Sequence, residues 1–109
     1  MPFSTSVATL RELLESSTPP IVIDVRRQQA FTESPSIIPG ALRHLPEQVE
    51  TWGTALPPGR HVVVYCVHGH QVSQVVAAQL ERLGMNASFL EGGIVQWETD
   101  GGATLSGGA

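Results

Sequence analysis

Two continuous apolar segments constrain the possible folds of this chain more than any other feature. Residues 21–25 and 61–65 are apolar at almost every position, including Val62, Val63 and Val64 in a row. A strand with one face in water alternates between apolar and polar side chains, whereas a strand covered on both faces of a parallel sheet has a continuous apolar run. We therefore predict that both segments are central strands of a parallel sheet.

Segments with helical periodicity alternate with these strands. We predict helices over 7–15, from Pro46, over 71–83 and around 94–98, and further strands over 41–44 and 86–90. Ser6 is a suitable N-cap for the first helix, and Pro46 suits the first turn of a helix that turns Val49 and Trp52 inward. The helix over 71–83 has one apolar stripe, formed by Val72, Val75, Val76, Leu80 and Leu83.

This alternation indicates an α/β fold with an open, mostly parallel sheet and helices on both faces. The 109 residues suffice for one domain, 1–109. We expect an ordered core over about 3–100 and a frayed Gly-rich tail over 101–109. Ligands of such sheets bind beyond the carboxyl ends of the strands, and Cys66 directly follows the strand over 61–65.

Composition and charge argue against several classes of protein. The chain has one cysteine, so it cannot form an internal disulfide, which fits a reducing compartment. Ten acidic residues exceed six basic ones, all of them Arg, so a nucleic-acid-binding face is not expected. The sequence shows no secretory leader and no run of roughly 20 apolar residues, and we therefore expect a cytoplasmic protein without membrane association.

A short loop joins Cys66 to the helix over 71–83. The unpaired N–H groups and the positive dipole end at a helix start stabilise an anion, either a thiolate or a bound oxyanion. This position makes Cys66 a candidate nucleophile, and Gly69 lets the loop curl without a side chain that blocks the pocket. The alternative is that Cys66 is only a small apolar residue at the end of a strand.

Four short motifs occur in a fixed order along residues 3–100. They are Ile23-Asp24-Val25-Arg26, Ile38-Pro39-Gly40-Ala41, Tyr65-Cys66 with Gly69 three residues on, and Leu90-Glu91-Gly92-Gly93-Ile94 with Trp97. In this order, with the cysteine between the last two strands, they resemble the motifs of single-domain members of the rhodanese (thiosulfate sulfurtransferase-like) family. The resemblance implies a parallel, five-stranded sheet flanked by helices.

The resemblance also implies an activity. In that family a cysteine thiolate takes a sulfane sulfur from a donor, thiosulfate or a persulfide, and passes it to cyanide or a thiol. Cys66 would be the catalytic residue, and the N–H groups of the following loop would hold the charged terminal sulfur of its persulfide. The expected substrate-binding residues are Val67, His68, Gly69, His70, Gln71 and Val72. The reaction requires no cofactor and no metal, and a partner protein is a further candidate for donor or acceptor.

The sequence departs from the family pattern at two places. Family members active on thiosulfate often have Arg or Lys inside the loop, followed by a small hydroxyl residue, where this chain has Gln71 and Val72, with Ser73 one step later. The His that often precedes the Ile-Pro-Gly-Ala motif is replaced by Ile37. We therefore expect thiosulfate to be a poor donor.

Several residues have alternative interpretations. Cys66, His68 and His70 have a spacing that suggests a metal, but structural zinc requires four ligands and no other Cys or His is nearby in sequence. We expect that one imidazole raises the local positive potential or contacts the donor, and the alternative is two exposed histidines without function.

Four further residues are given structural roles. Arg26 is expected to bind a carboxylate such as Glu91 below the site, and Trp52 and Trp97 to dock helices. Ser73 is expected to cap the helix, with a hydrogen bond to the persulfide as the alternative.

Two other functions are compatible with the sequence. One is a cysteine phosphatase or arsenate reductase, although the Arg that clamps an oxyanion in such enzymes is replaced by Gln71 or Val72. The other is a non-catalytic binding or sensing module in which Cys66 holds sulfur or is modified.

Overall fold

A computed structural model describes residues 3–106 of the chain. The strands are β1 Phe3–Thr5, β2 Ile21–Asp24, β3 Ser36–Ile37, β4 Leu42–Arg43, β5 His61–Tyr65, β6 Asn86–Leu90 and β7 Leu105–Ser106. The α-helices are α1 Val7–Leu14, α2 Gln28–Glu33, α3 Val49–Gly53, α4 Gln71–Arg82 and α5 Gly93–Thr99, and a 3-10 helix, Pro46–Gln48, precedes α3.

Five strands form one sheet in the order β1-β6-β5-β2-β4, and every neighbouring pair is parallel. The two continuous apolar segments, β2 and β5, are interior strands, with Ile23 opposite Val64. The predicted α/β class and five-stranded parallel sheet are thus confirmed. Strands β3 and β7 form a separate two-stranded antiparallel sheet.

Helices cover both faces of the sheet, as predicted. One core cluster joins β2, β5 and β6 to α3 and α4, and the other joins the opposite face to α1 and α5. Side chains along β5 alternate between these clusters, so that Val62 and Val64 contact the α4 side while Val63 and Tyr65 contact the α5 side. Trp52 and Trp97 are buried in the two clusters, in line with their predicted docking role.

The predicted stripe of α4 is wrong at its edges. Val75 and Leu83 are 48% and 41% exposed. The buried face is instead centred on Ser73, Val76, Ala77 and Leu80. Small residues at 73 and 77 let the helix lie close to the sheet, and this orientation turns Val75 outward.

The Gly-rich segment that was expected to fray makes specific contacts as far as residue 106. The N–H of Gly102 donates to Trp97 O at 2.8 Å, and Trp97 Nε1 donates to Ala103 O at 2.8 Å. Leu105 is then paired with Ile37 in the β3–β7 ribbon. Residues 107–109 of the predicted tail lie outside the described residues.

None of the helices in residues 3–106 is long and apolar enough to span a membrane.

Candidate active site

Cys66 lies at the carboxyl end of β5, where a cavity of about 280 Å³ opens beside it. The thiol residue is only 6% exposed. The cavity is lined by Arg26, Arg27, Ala30, Cys66, Val67, His68, His70, Gln71 and Val72. The structure therefore brings together around the cavity every predicted site residue except Gly69, which faces the end of β6 instead. Their functional roles stay predictions.

Gly69 lets the loop approach the end of β6 more closely than any other residue would allow. Its φ of 71° is left-handed, and a Cβ at this position would lie 2.6 Å from Leu90 O and 2.7 Å from Gly92 N. The predicted curl of the loop at Gly69 is present. The reason is close backbone packing as well as conformational freedom.

The start of α5 holds the loop from the other side. The N–H groups of Ile94 and Val95 donate to Cys66 O and Val67 O at 3.0 and 3.1 Å. A Cβ on Gly93 would collide with the same carbonyl groups. The Leu-Glu-Gly-Gly-Ile motif thus fixes the backbone of the cysteine loop, although it begins 24 residues after Cys66 in sequence.

The loop presents a row of free N–H donors. Within residues 3–106, none of the backbone N–H groups from Val67 to Ser73 donates to another protein group. The first such bond is made by Gln74, whose N–H donates to His70 O at 3.2 Å, while its side chain donates to Gly69 O at 3.1 Å. Successive free N–H groups at the start of a helix form a site for a negative charge next to Cys66.

Ser73 contacts the cysteine directly. The thiol of Cys66 donates to Ser73 Oγ at 3.1 Å, and Ser73 is fully buried. The expectation that Ser73 caps α4 is wrong, because the N-cap position is His70 and no side chain caps this helix. The chain turns Ser73 toward the end of β5 because it lies on the buried face of the first turn.

Arg26 has a structural position, as expected, but with a different partner. Its Nε and Nη2 donate to both carboxylate oxygens of Asp24 at 2.6–3.1 Å, and its other donors reach Ser34 O and Ser36 O. Glu91, the partner named as an example from the sequence, is exposed and accepts from Ser4 Oγ instead. The pairing with Asp24 neutralises the charge of Arg26 beneath the cavity.

Tyr65, the residue before Cys66, is fully buried near the Asp24–Arg26 pair. Its hydroxyl accepts a hydrogen bond from the N–H of Ile38 at 3.2 Å. Burial, followed by the nearby carboxylate of Asp24, raises the pKa of Tyr65 above its usual value, so the phenol stays neutral. Tyr65 therefore adds no negative charge next to Cys66.

Arg27 was missed in the sequence analysis. It is exposed, lines the cavity with Cys66 and follows β2, whose end lies next to that of β5 in the sheet. A signal was available, since ligands of parallel sheets bind where the carboxyl ends of neighbouring strands meet. The loop after Cys66 has no cation of its own, but the cavity does.

His68 and His70 are both exposed. Their rings stack with centroids 5.9 Å apart and planes at 29°. Residues 3–106 contain no group of three or more His, Cys, Asp or Glu side chains arranged to hold a metal.

Comparisons with known proteins agree with this architecture. Residues 6–100 match the sequence model of the Rhodanese-like domain. No curated protein matches the chain.

Solved structures are similar over nearly the whole chain. A rhodanese-related protein from Thermoplasma volcanium is 25% identical, with a TM-score of 0.81 over 94% of this chain and 97% of that one. A rhodanese-like domain protein from Staphylococcus aureus is 24% identical, with a TM-score of 0.79 over 93% and 96%. A Rhodopseudomonas palustris protein described as a possible tyrosine phosphatase is 22% identical, with a TM-score of 0.81 over 95% and 85%, which shows a shared fold alone. Because the family match covers residues 6–100 and the fold agrees, this chain belongs to the rhodanese-like domain family.

Proposed function

We propose that the protein is a sulfurtransferase in which Cys66 carries a sulfane sulfur as a persulfide. The observation that carries this proposal is the position of a single thiol beside an uninterrupted row of free N–H groups, from Val67 to Ser73. A persulfide ends in a charged sulfur, and fixed dipoles aimed at a charge stabilise it without reorganisation.

The first step loads sulfur onto the protein. The Cys66 thiolate attacks the sulfane sulfur of the donor, a new S–S bond forms on Cys66, and the S–S bond of the donor breaks. The bonding pair leaves with the donor, as sulfite from thiosulfate or as a thiolate from an organic persulfide. Atoms and charge balance without a cofactor or an external oxidant.

The second step unloads it. Cyanide or a thiolate attacks the outer sulfur of the Cys66 persulfide, and the pair of the breaking S–S bond returns to Cys66 Sγ. Ser73 Oγ, 3.1 Å from that atom, is within reach to donate its proton in a hydrogen bond to the sulfur anion in both steps. This is covalent catalysis in which the protein is a sulfur carrier.

The setting of the thiol supports this function over the rivals. The phosphatases considered above clamp the oxyanion with an Arg inside the loop, and the segment from Val67 to Ser73 contains no Arg or Lys. Arg27 lines the cavity from outside that loop. Cys66 is only 6% exposed, but it lines a cavity that a small donor can enter. A module that only binds a partner does not need a thiol in such a position. A small sulfur donor, a cyanide or thiol acceptor and a reducing, cytoplasmic setting complete the proposal.

One comparison of rates separates the three functions. Purified protein and Cys66→Ala are each assayed for thiocyanate formation from cyanide with thiosulfate or an organic persulfide, and for hydrolysis of an aryl phosphate. We expect thiocyanate formation by the wild type only, and no phosphate release by either. Phosphate release that depends on Cys66 favours a phosphatase, and no turnover with any donor favours a binding module.

A further inference from the structure

Arg27 lines the candidate active site, and among residues 3–106 it forms no ion pair. Arg26 also lines the cavity, but Asp24 binds its guanidinium. In the described part of the chain, residues 3–106, the ion pairs involve Arg26 and Arg43 and none involves Arg27. No acidic side chain lines the cavity beside Cys66. An anion that enters this cavity therefore meets the uncompensated charge of Arg27.

A second cavity, the side cavity, adjoins the first. It measures about 350 Å³ and shares Arg27, Gln71 and Val72 with the cavity at Cys66. The rest of its lining is Pro46, Glu47, Val75, Val76 and Gln79. Its wall is thus partly apolar, and it includes Val75, which the orientation of α4 leaves 48% exposed. Among the described residues, Arg27 is the only cationic residue that lines both cavities.

On the basis of the proposed sulfur transfer, we propose that Arg27 binds a carboxylate of an organic persulfide donor whose body lies in the side cavity. Its terminal sulfur then faces Cys66. Arg is suited to a carboxylate because its fork of N–H donors can bind both oxygens. Thiosulfate would leave the side cavity unused.

The transfer on this donor is balanced. The Cys66 thiolate attacks the terminal sulfur, the new S–S bond forms, and the donor S–S bond breaks with its pair leaving on the donor thiolate. A proton on the terminal sulfur remains there. Arg27 touches the donor away from the reacting atoms, so it determines which donor binds rather than the chemistry of the step.

The first test measures the charge at Cys66 without any sulfur transfer. Alkylation of Cys66 by iodoacetate, an anion, is compared with alkylation by neutral iodoacetamide, and the rate ratio is followed in variants. We expect Arg27→Gln to lower the ratio about three- to tenfold, because an open site realises only part of the attraction. Arg27→Lys is expected to keep most of the wild-type ratio. The matched control is Arg82→Gln, because Arg82 is an exposed Arg in the last turn of α4, away from the site, and its loss should leave the ratio unchanged.

The second test measures donor selectivity. The rates with glutathione persulfide and with thiosulfate are compared in the wild type, Arg27→Gln and Val75→Glu, with Val75→Gln as the control for size and polarity. We expect Arg27→Gln and Val75→Glu to lower the rate with glutathione persulfide at least threefold more than the rate with thiosulfate, since the added carboxylate of the second variant repels the donor.

The outcomes separate this inference from the proposed function. An alkylation ratio that is unchanged in Arg27→Gln, or equal losses with both donors, overturns the inference even if the wild type transfers sulfur well. Failure of the wild type to form a persulfide with any donor overturns the proposed function, and with it the identity of the donor. A lowered alkylation ratio in that case still supports the anion site at Arg27.

Discussion

The hydroxyl oxygen of Ser73 lies 3.1 Å from the sulfur of Cys66, and both residues are buried. The contact joins the end of β5 to the first turn of α4. It spans the loop that carries the row of free N–H groups. A hydroxyl can accept from a thiol and donate to a sulfur anion, so the contact persists when Cys66 changes its charge. Ser73 is thereby a candidate for stabilising both the thiolate and the persulfide.

Ser73→Ala is expected to slow the reactions of Cys66 while the fold is kept. A hydrogen bond to a charged group contributes about 1.5–3 kcal/mol, and the loop N–H groups replace part of it, so we expect a loss of about three- to tenfold. The measurement is the rate of Cys66 alkylation and of persulfide formation at pH 7. Ser88→Ala, which removes a buried hydroxyl that is paired with Thr5 outside the site, is the control and should react at the wild-type rate. A wild-type rate in Ser73→Ala contradicts the role given to this hydroxyl.

Gly69→Ala is expected to reduce sulfur transfer at least tenfold, because a Cβ would push the loop away from Leu90 and Gly92. Gly84→Ala is the matched control, since Gly84 also has a positive φ, 86°, but a Cβ there meets nothing within 4 Å. Both variants lose about 1–2 kcal/mol of stability through the left-handed backbone. Thiocyanate assays and urea unfolding of the two proteins separate the strain from the steric effect. Equal activity in the two variants refutes the packing argument.

Asp24→Asn is expected to destabilise the fold strongly. Asp24 and Arg26 are 0% and 2% exposed, and the substitution leaves the guanidinium buried without a counter-charge, which typically costs about 3–5 kcal/mol. The free energy of unfolding in urea measures the loss. Glu91→Gln removes an exposed carboxylate that accepts a hydrogen bond from Ser4 Oγ, and a much smaller loss is expected there. If the free energy of unfolding falls by a similar amount in both variants, the buried pair contributes no more to stability than an exposed carboxylate.

Stability is expected to fall as the pH drops below about 6.5, partly through His61. Burial lowers the pKa of His61 from 6.5, and the ring hydrogen bonds with Ser88 Oγ at 3.1 Å. The unfolded chain therefore binds a proton before the folded one does, and the contribution of His61 is present in full above pH 6.5 and is lost as the pH falls through the lowered pKa.

Urea unfolding midpoints at pH 7.5 and 5.5 measure this loss. The decrease should be smaller in His61→Gln and smaller again when His44→Gln is added, since burial also lowers the pKa of His44. The same decrease in the wild type and both variants contradicts the assignment.

The strongest sequence patterns predicted most of the sheet and the position of Cys66. Continuous apolar strands such as β5 and a well-capped helix such as α1 are determined locally, and Ser6 does accept from the N–H of Thr9 as its cap. Helix α2 has little apolar surface, since only Ala30 and Phe31 are apolar in its six residues, and its sequence therefore gave no periodic signal.

The contacts of the site were harder to predict because they depend on how separate strands meet. Arg27 reaches the cavity only because β2 is the neighbour of β5, and Ser73 reaches Cys66 only because α4 turns that residue inward. The partner of Arg26 is not Glu91, the carboxylate named as an example, because Asp24 is close enough to bind from two residues away.

The most direct test of the sulfurtransferase account isolates the sulfur on the protein. Wild type and Cys66→Ser are incubated with a sulfane donor and separated from it. Their masses are measured by intact-protein mass spectrometry, and cyanide is then added. We expect a gain of one sulfur, about 32 Da, on the wild type alone, which a reductant removes. Cyanide should convert that gain into an equal amount of thiocyanate. A wild type that gains no mass, or a Cys66→Ser protein that forms thiocyanate at the wild-type rate, contradicts the account.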